Sequence, residues 1–172
     1  MTDLASFIRD IPDFPKPGIV FKDITPLLGD GAALAASIDQ LKQAVSDLEF
    51  DAIVGIESRG FLFGAALACA MGKGFIPVRK PGKLPYEVVS QEYTLEYGSD
   101  TIEMHSDALS AGQRVLIVDD LIATGGTAAA TCDLVQKVGA EVAALAFVVS
   151  LDFIPWQAKL ENRDVRVLLR YS

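Results

Sequence analysis

The sequence predicts an α/β fold built on a parallel β-sheet with right-handed crossovers, and two observations predict it. Short continuous apolar runs at residues 52–56, 75–78, 115–118 and 142–149 alternate with helical stretches, as strands buried on both faces of a parallel sheet do. Residues 86–95 and 101–104 are instead β-prone but interrupted by polar side chains. Joined through Tyr97-Gly98-Ser99-Asp100, they read as an antiparallel hairpin projecting from the main sheet.

In chain order, Thr2 is placed to cap a short helix through Ile8, with Leu4, Phe7 and Ile8 on one apolar stripe. The proline-rich stretch Ile11-Pro12-Asp13-Phe14-Pro15-Lys16-Pro17-Gly18 stops it and predicts an extended arm without regular hydrogen bonding. Residues 19–24 are strand-like, and Thr25-Pro26 begins a turn. A helix then starts near Asp30, with Leu34, Ile38, Leu41, Val45 and Leu48 at helical spacing. The strand at 52–56 feeds a helix that is apolar nearly all round and closes at Gly72. Residues 75–78 give the next strand and 115–118 a buried one, followed by a helix that stops at Gly139. Residues 142–149 form another buried strand, residues 155–160 a short helix, and residues 165–169 a last strand that closes the sheet. One domain over residues 1–172 is expected, with an N-terminal arm and hood at 1–30 and a flexible loop and flap hairpin at 84–105.

Composition narrows the function. A hydrophobic content of 51% argues against disorder, and a net charge of −8 argues against nucleic acid or an anionic membrane as partner. Cys69 and Cys132 read as small hydrophobes in buried helices, His105 is the only histidine, and no metal-ligand spacing is present. The N-terminal residues lack the pattern of a signal peptide, and the apolar run at 61–71 falls short of the roughly 20 residues a membrane span needs. The expectation is a cytoplasmic protein with reduced thiols.

Chemistry concentrates at residues 115–127. A buried strand ends in Asp119 and Asp120, and Leu121-Ile122-Ala123-Thr124-Gly125-Gly126-Thr127 then opens onto a helix. Backbone N–H groups at a glycine-rich helix start favour a phosphate, and two adjacent carboxylates accept hydrogen bonds from a vicinal diol. Together they suit a phosphorylated sugar. Two further loops follow buried strands, Glu57-Ser58-Arg59-Gly60 and Arg79-Lys80-Pro81-Gly82-Lys83, so all three should converge at the carboxyl ends of the strands. On an acidic chain, Arg79, Lys80 and Lys83 within five residues suit a pyrophosphate, and so do Ser58 and the guanidinium fork of Arg59. Glu57 reads equally well as a partner for a neighbouring cation.

The stretch 115–127 closely resembles the 5-phosphoribosyl 1-pyrophosphate loop of the type I phosphoribosyltransferases. Across nearly the whole chain the sequence is similar to the adenine phosphoribosyltransferase family, through residues 14–24, Glu57-Ser58-Arg59-Gly60-Phe61-Leu62-Phe63-Gly64, residues 79–85 and Leu95-Glu96-Tyr97-Gly98. The resemblance implies the type I fold, a parallel sheet with helices on both faces, an antiparallel flap hairpin and a small N-terminal hood. It implies transfer of a phosphoribosyl group to adenine, giving AMP and pyrophosphate, in a cytoplasmic homodimer.

Residue by residue, the resemblance implies that Asp119, Asp120, Ala123, Thr124, Gly125, Gly126 and Thr127 hold the ribose and its 5′-phosphate. It assigns Glu57, Ser58, Arg59, Arg79, Lys80 and Lys83 to the pyrophosphate, and Val20, Phe21, Lys22 and Glu96 to adenine. Lys22 stands where many members carry Arg, so its backbone rather than its ammonium is expected to read the base. Phe21 either stacks on the base or packs the arm over the core. Glu96, with Arg59, is the implied catalytic residue, Glu96 as general acid/base near N7 of adenine, and Tyr97 is the implied lid. Residues 84–93 are long enough to close over substrate. Mg2+ is expected through substrate oxygens, with water bridges to Asp119 and Asp120, rather than in an all-protein cage. Glu57 replaces the family's frequent Asp, and the resemblance suggests a non-proline cis peptide between Glu57 and Ser58. Two other readings stay open, a transferase for another nucleobase and a non-catalytic sensor of the same donor or of AMP.

Overall fold

The computed structural model describes residues 2–94 and 98–172, so Glu96 and Tyr97 lie outside the described residues. The chain divides into two compact units, one ending at Gln40 and one beginning at Leu41, the boundary falling inside helix α2 (Gly31–Ala44).

In the first unit, a 3₁₀ helix at Leu4–Phe7 replaces the longer helix expected from Thr2 to Ile8. Asp3 rather than Thr2 caps it, its carboxylate accepting from Ala5 N at 3.1 Å, and Ile8 is already extended. That extended chain becomes β1 (Arg9–Pro12), antiparallel to β2 (Val20–Asp23) with Arg9 opposite Asp23 and Pro12 opposite Val20. The proline-rich arm thus opens as a strand, because Pro12 sits at the end of a two-stranded ribbon where a missing N–H is tolerated. Phe14 packs edge-on against Phe21, ring centroids 5.3 Å apart. Thr25-Pro26 begins more than a turn: α1 spans Thr25–Gly29, with proline in its first turn, where no N–H is required. The Asp30 carboxylate accepts from Ala33 N at 2.8 Å and starts α2 as expected.

The second unit is a five-stranded parallel sheet. Its strands are β3 (Ala52–Ile56), β4 (Gly74–Val78), β7 (Arg114–Ile122), β8 (Glu141–Leu151) and β9 (Val165–Tyr171), in the order β4-β3-β7-β8-β9. Every residue of β3 is buried, which is why it reads as an unbroken apolar run. Alternate side chains serve opposite faces. Val54, Ile56, Val115, Ile117, Leu145 and Phe147 join Leu134 and Val135 of α4 (Gly126–Lys137) in one core cluster. On the other face α3 (Gly60–Met71) crosses β3 closely: a methyl group built on Gly64 would lie 3.5 Å from Gly55 Cα.

Only one side of α3 is packed. Leu62 is 49% exposed, and Cys69, expected to be buried, is exposed on the same helix, whereas Cys132 is buried in α4 as expected. Apolar composition all round a helix does not bring a partner to every face.

The hairpin is β5 (Val88–Thr94) and β6 (Ser99–His105), antiparallel with Thr94 opposite Ser99. It forms its own two-stranded sheet, but its base is anchored, with Ile102 and Met104 buried in the core cluster. Residues 88–94 form the first arm of the hairpin as expected, so the loop also expected over 84–93 is a paired strand from Val88 on.

Candidate active site

The sheet order places its topological switch between β3 and β7: from β3 the chain steps outward to β4, then returns to the other side at β7 and proceeds to β8 and β9. A crevice at the carboxyl ends of those two strands is the expected ligand site. It is lined by Glu57, Ser58 and Arg59 after β3, Arg79 and Lys80 after β4, and Asp119, Asp120 and Thr127 from β7 and α4, and encloses about 300 Å³. A second hollow of about 140 Å³, lined by residues 121–128, shares Asp119, Leu121 and Thr127 with it. All three predicted loops converge. A larger cavity of about 390 Å³ lies instead at the amino ends of the strands, among Leu48, Phe50, Met71 and Arg114.

The loops after β3 and β7 lie in near contact because Gly60 has no side chain. A methyl group there would lie 2.5 Å from Asp119 Oδ1 and 3.0 Å from the Val118 carbonyl. Asp120 is 4% exposed, and Arg59 Nε approaches its Oδ2 to 2.9 Å. Asp119 Oδ1 accepts from Asp120 N at 2.9 Å. Burial, then the charge of Asp120, push the Asp119 carboxyl well above the ordinary carboxylate range. The pair thus forms an acidic floor whose inner member is tied to a guanidinium. The Glu57–Ser58 peptide is cis.

Glu57 organises the basic loop. Its Oε2 accepts from Arg79 Nε at 3.1 Å and from Lys80 N at 2.9 Å, so it meets the loop directly and takes the cation-partner role open to it from sequence. Arg79 also exchanges backbone hydrogen bonds with Glu103 of β6, at 2.9 and 2.7 Å, and the Glu103 side chain accepts from Gly82 N at 3.1 Å. The hairpin is in this way stitched to the loop.

Lys80 Nζ pairs closely with Asp100 and contacts Tyr93 Oη at 3.2 Å. Burial works against its charge, but the hydrogen bonds to Asp100 and Tyr93 prevail and raise its pKa; the bond from Lys80 likewise lowers that of Asp100. Lys83 offers its carbonyl to Arg79 Nη1 at 3.3 Å.

The glycine-rich turn expected to cradle an anion leads directly into α4. Gly125 takes φ +75°, and a methyl group on it would meet the Trp156 carbonyl at 3.1 Å, so glycine is required there twice over. From it α4 starts with no side-chain cap, leaving its first N–H groups and its dipole to the hollow. Thr127 Oγ1 donates to Tyr93 Oη at 3.0 Å, linking cradle to hairpin. Tyr93, Asp100 and Glu103 had no motif to announce them, and tertiary pairing alone brings them to the crevice.

The residues assigned to adenine divide. Val20, Phe21 and Lys22 lie on β2 in the first unit, where Lys22 Nζ pairs with Asp10 at 2.6 Å. Glu96, and Tyr97, the residue expected as the lid, fall outside the described residues.

Residues 22–165 match the family model described as phosphoribosyl transferase domain. The adenine phosphoribosyltransferase of Methylococcus capsulatus is 57% identical over 171 residues, covering 99% of this chain and 100% of that one. A crystal structure of adenine phosphoribosyltransferase from Thermoanaerobacter pseudethanolicus superposes with a TM-score of 0.95 at 52% identity, covering 98% of each chain. The Saccharomyces cerevisiae enzyme, complexed with an imino-altritol 1,6-bisphosphate and adenine, superposes at 0.90 with 45% identity, covering 96% of each chain. With the switch-point crevice, the acidic floor and the glycine cradle, these likenesses mean that the chain belongs to the phosphoribosyltransferase family, among the adenine phosphoribosyltransferases.

Proposed function

We propose that this chain transfers the 5-phosphoribosyl group of 5-phosphoribosyl 1-pyrophosphate to adenine, giving AMP and pyrophosphate. The observation that carries the reading is the sharing of Asp119, Leu121 and Thr127 between two adjoining hollows, one lined by Arg59, Arg79 and Lys80 and one formed by the cradle. One ligand with a sugar phosphate at one end and a diphosphate at the other fits both. The bisphosphate and adenine held together in the yeast relative support it.

In this mechanism Asp119 and Asp120 hold the ribose hydroxyls, and Ala123, Thr124, Gly125, Gly126 and Thr127 hold the 5′-phosphate. N9 of adenine forms its bond to C1′ as the C1′–O bond to pyrophosphate breaks with its electron pair, leaving on oxygen. Positive charge develops on the ribose, so the protein's main task is positioning and neutralising the leaving group. Ser58, Arg59, Arg79, Lys80 and Lys83 perform the second task, with Glu57 aiming Arg79 and the Lys80 backbone.

The adjacent carboxylates Asp119 and Asp120 are hard oxygen donors that fit Mg2+ held mainly by substrate oxygens and water. When bound, the ion supplies further neutralisation of pyrophosphate charge.

Adenine is read by the backbone of Val20 and Lys22, with Phe21 beside it. The commitment of the Lys22 ammonium to Asp10 supports a backbone reading. Glu96 bonds at N7, holds the tautomer that carries its proton there so that the N9 lone pair is free, and takes up that proton as the N9–C1′ bond forms; Tyr97 covers the ribose. The working form is a cytoplasmic homodimer, a reading that rests on the family resemblance; among the described residues no helix is long and apolar enough to cross a membrane.

The test is a panel of adenine, guanine, hypoxanthine and pyrimidine bases with the donor, with and without Mg2+. Turnover of adenine alone, dependent on Mg2+, is expected. Good turnover of guanine or hypoxanthine without adenine would overturn the specificity, and binding without turnover would make the chain a sensor. Glu96→Gln should lower kcat more than it raises KM for adenine; an unchanged kcat would remove Glu96 from the chemistry.

A further inference from the structure

The cradle has a cationic neighbour that its motif does not contain. The 3₁₀ helix Trp156–Leu160 lies against the start of α4, where the Trp156 carbonyl is 3.1 Å from a methyl group built on Gly125. Trp156 and Leu160 are each 4% exposed, and Trp156 Nε1 donates to Asp152 Oδ1 at 3.2 Å, so the short helix is anchored at both ends. Between those anchors stands Lys159. A methyl group built on Gly126 would have as its nearest neighbours the Tyr93 ring at 3.5 Å, Lys159 Nζ at 3.7 Å and Thr124 Oγ1 at 3.7 Å.

The state of the surrounding cations separates Lys159 from them. Arg59, Arg79 and Lys80 each face a carboxylate, Asp120, Glu57 and Asp100 respectively. Lys159 makes no hydrogen bond or ion pair with any described residue, yet it is held over the N-terminus of a 12-residue helix. An ammonium beside unpaired backbone N–H groups is unfavourable unless an anion lies between them. Such an anion would have the helix N–H groups beneath it, the Thr124 and Thr127 hydroxyls beside it and Lys159 above.

We propose that Lys159 is a further binding residue for the 5′-phosphate, closing the cradle from the side that the glycine-rich turn leaves open. The inference rests on the functional reading above and adds a residue to that site. Lys159 acts on the sugar phosphate and not on the leaving group, since its Nζ stands beside Gly126, which lines the cradle hollow, while Arg79 and Lys80 line the other.

Titration calorimetry of AMP and, separately, of inorganic pyrophosphate with Mg2+ tests it on the wild-type chain, Lys159→Met and Lys159→Arg. Loss of one charge-assisted hydrogen bond in the Met variant should weaken AMP about tenfold. Pyrophosphate affinity should stay unchanged, and Arg should restore most of the AMP affinity. AMP binding equal to wild type in Lys159→Met overturns the inference, as does an equal loss for AMP and pyrophosphate, which would mark a general effect on charge or fold. A wild-type chain that binds pyrophosphate but not AMP would overturn the functional reading itself, an outcome visible before any variant is made.

Discussion

Burial and the Asp120 carboxylate both push the Asp119 carboxyl upward, so its charged form is held at a cost that function must offset. Its pKa is raised in the folded chain, so the folded state binds the proton more tightly than the unfolded state. Stability is then lost as pH rises from the unfolded pKa through the folded one, and the penalty is fully present above it. Asn at position 119 carries no such penalty. Asp119→Asn should raise Tm at neutral pH, by about 2–4 °C for each kcal/mol relieved in a chain of this size, while lowering kcat/KM at least ~100-fold through loss of the diol contact. Thermal scans at pH 4 and pH 8 with parallel kinetics decide it, and a variant that melts lower at pH 8 would refute the buried-charge account. The thiols differ for a related reason. Burial pushes Cys132 up to about 11, while Cys69 is exposed. At pH 8 the Cys132 thiolate is then roughly one part in a thousand, so one thiol should react rapidly with a charged disulfide reagent and the second only on unfolding. Equal rates for both would contradict the packing of α4.

At the scale of elements, the site depends on how closely β3, β7 and their following helices approach, and two glycines test this in opposite senses. A methyl group at Gly60 would meet Asp119 Oδ1 at 2.5 Å, whereas at Gly126 the nearest atom would be 3.5 Å away. Gly60→Ala should therefore cost about 1–3 kcal/mol of stability by overpacking and displace the acidic floor. Gly126→Ala adds a good helix former to α4 without a clash, so Tm should hold or rise while KM for the phosphoribosyl donor increases about tenfold or more, because the methyl group occupies the cradle. If both variants lose stability alike, or if Gly126→Ala keeps wild-type kinetics, the 5′-phosphate does not sit where we place it. Elements such as β3 and β7 were legible in the sequence because burial on both faces leaves an unbroken apolar run. β1 was obscured by Pro12, and the exposed side of α3 by uniformly apolar composition. Neither pattern encodes which side of the element is left exposed.

For the molecule as a whole, the loops that follow buried strands could be assigned to one crevice from sequence, since a parallel sheet delivers every such loop to the same edge. Residues that reach the crevice through tertiary pairing could not: Tyr93, Asp100 and Lys159 lie in segments without a motif, and only the folded hairpin and the 3₁₀ helix bring them to Thr127, Lys80 and Gly126. The same limit applies to the acceptor base, whose proposed contacts Val20 and Lys22 belong to the first unit while the proposed donor site belongs to the second. AMP carries both the base and the sugar phosphate, so it tests both sets of proposed contacts. At about 100 times its dissociation constant it should stabilise the folded chain by about 2.7 kcal/mol. Hydrogen exchange with and without AMP resolves where that stabilisation appears. Amides of Gly125, Gly126 and Thr127 should gain protection through the phosphate, and those of Val20 and Lys22 through the base, whereas inorganic phosphate should protect the cradle alone. Protection by AMP confined to the second unit would sink the role of β2 in reading adenine while leaving the ribose-phosphate site intact.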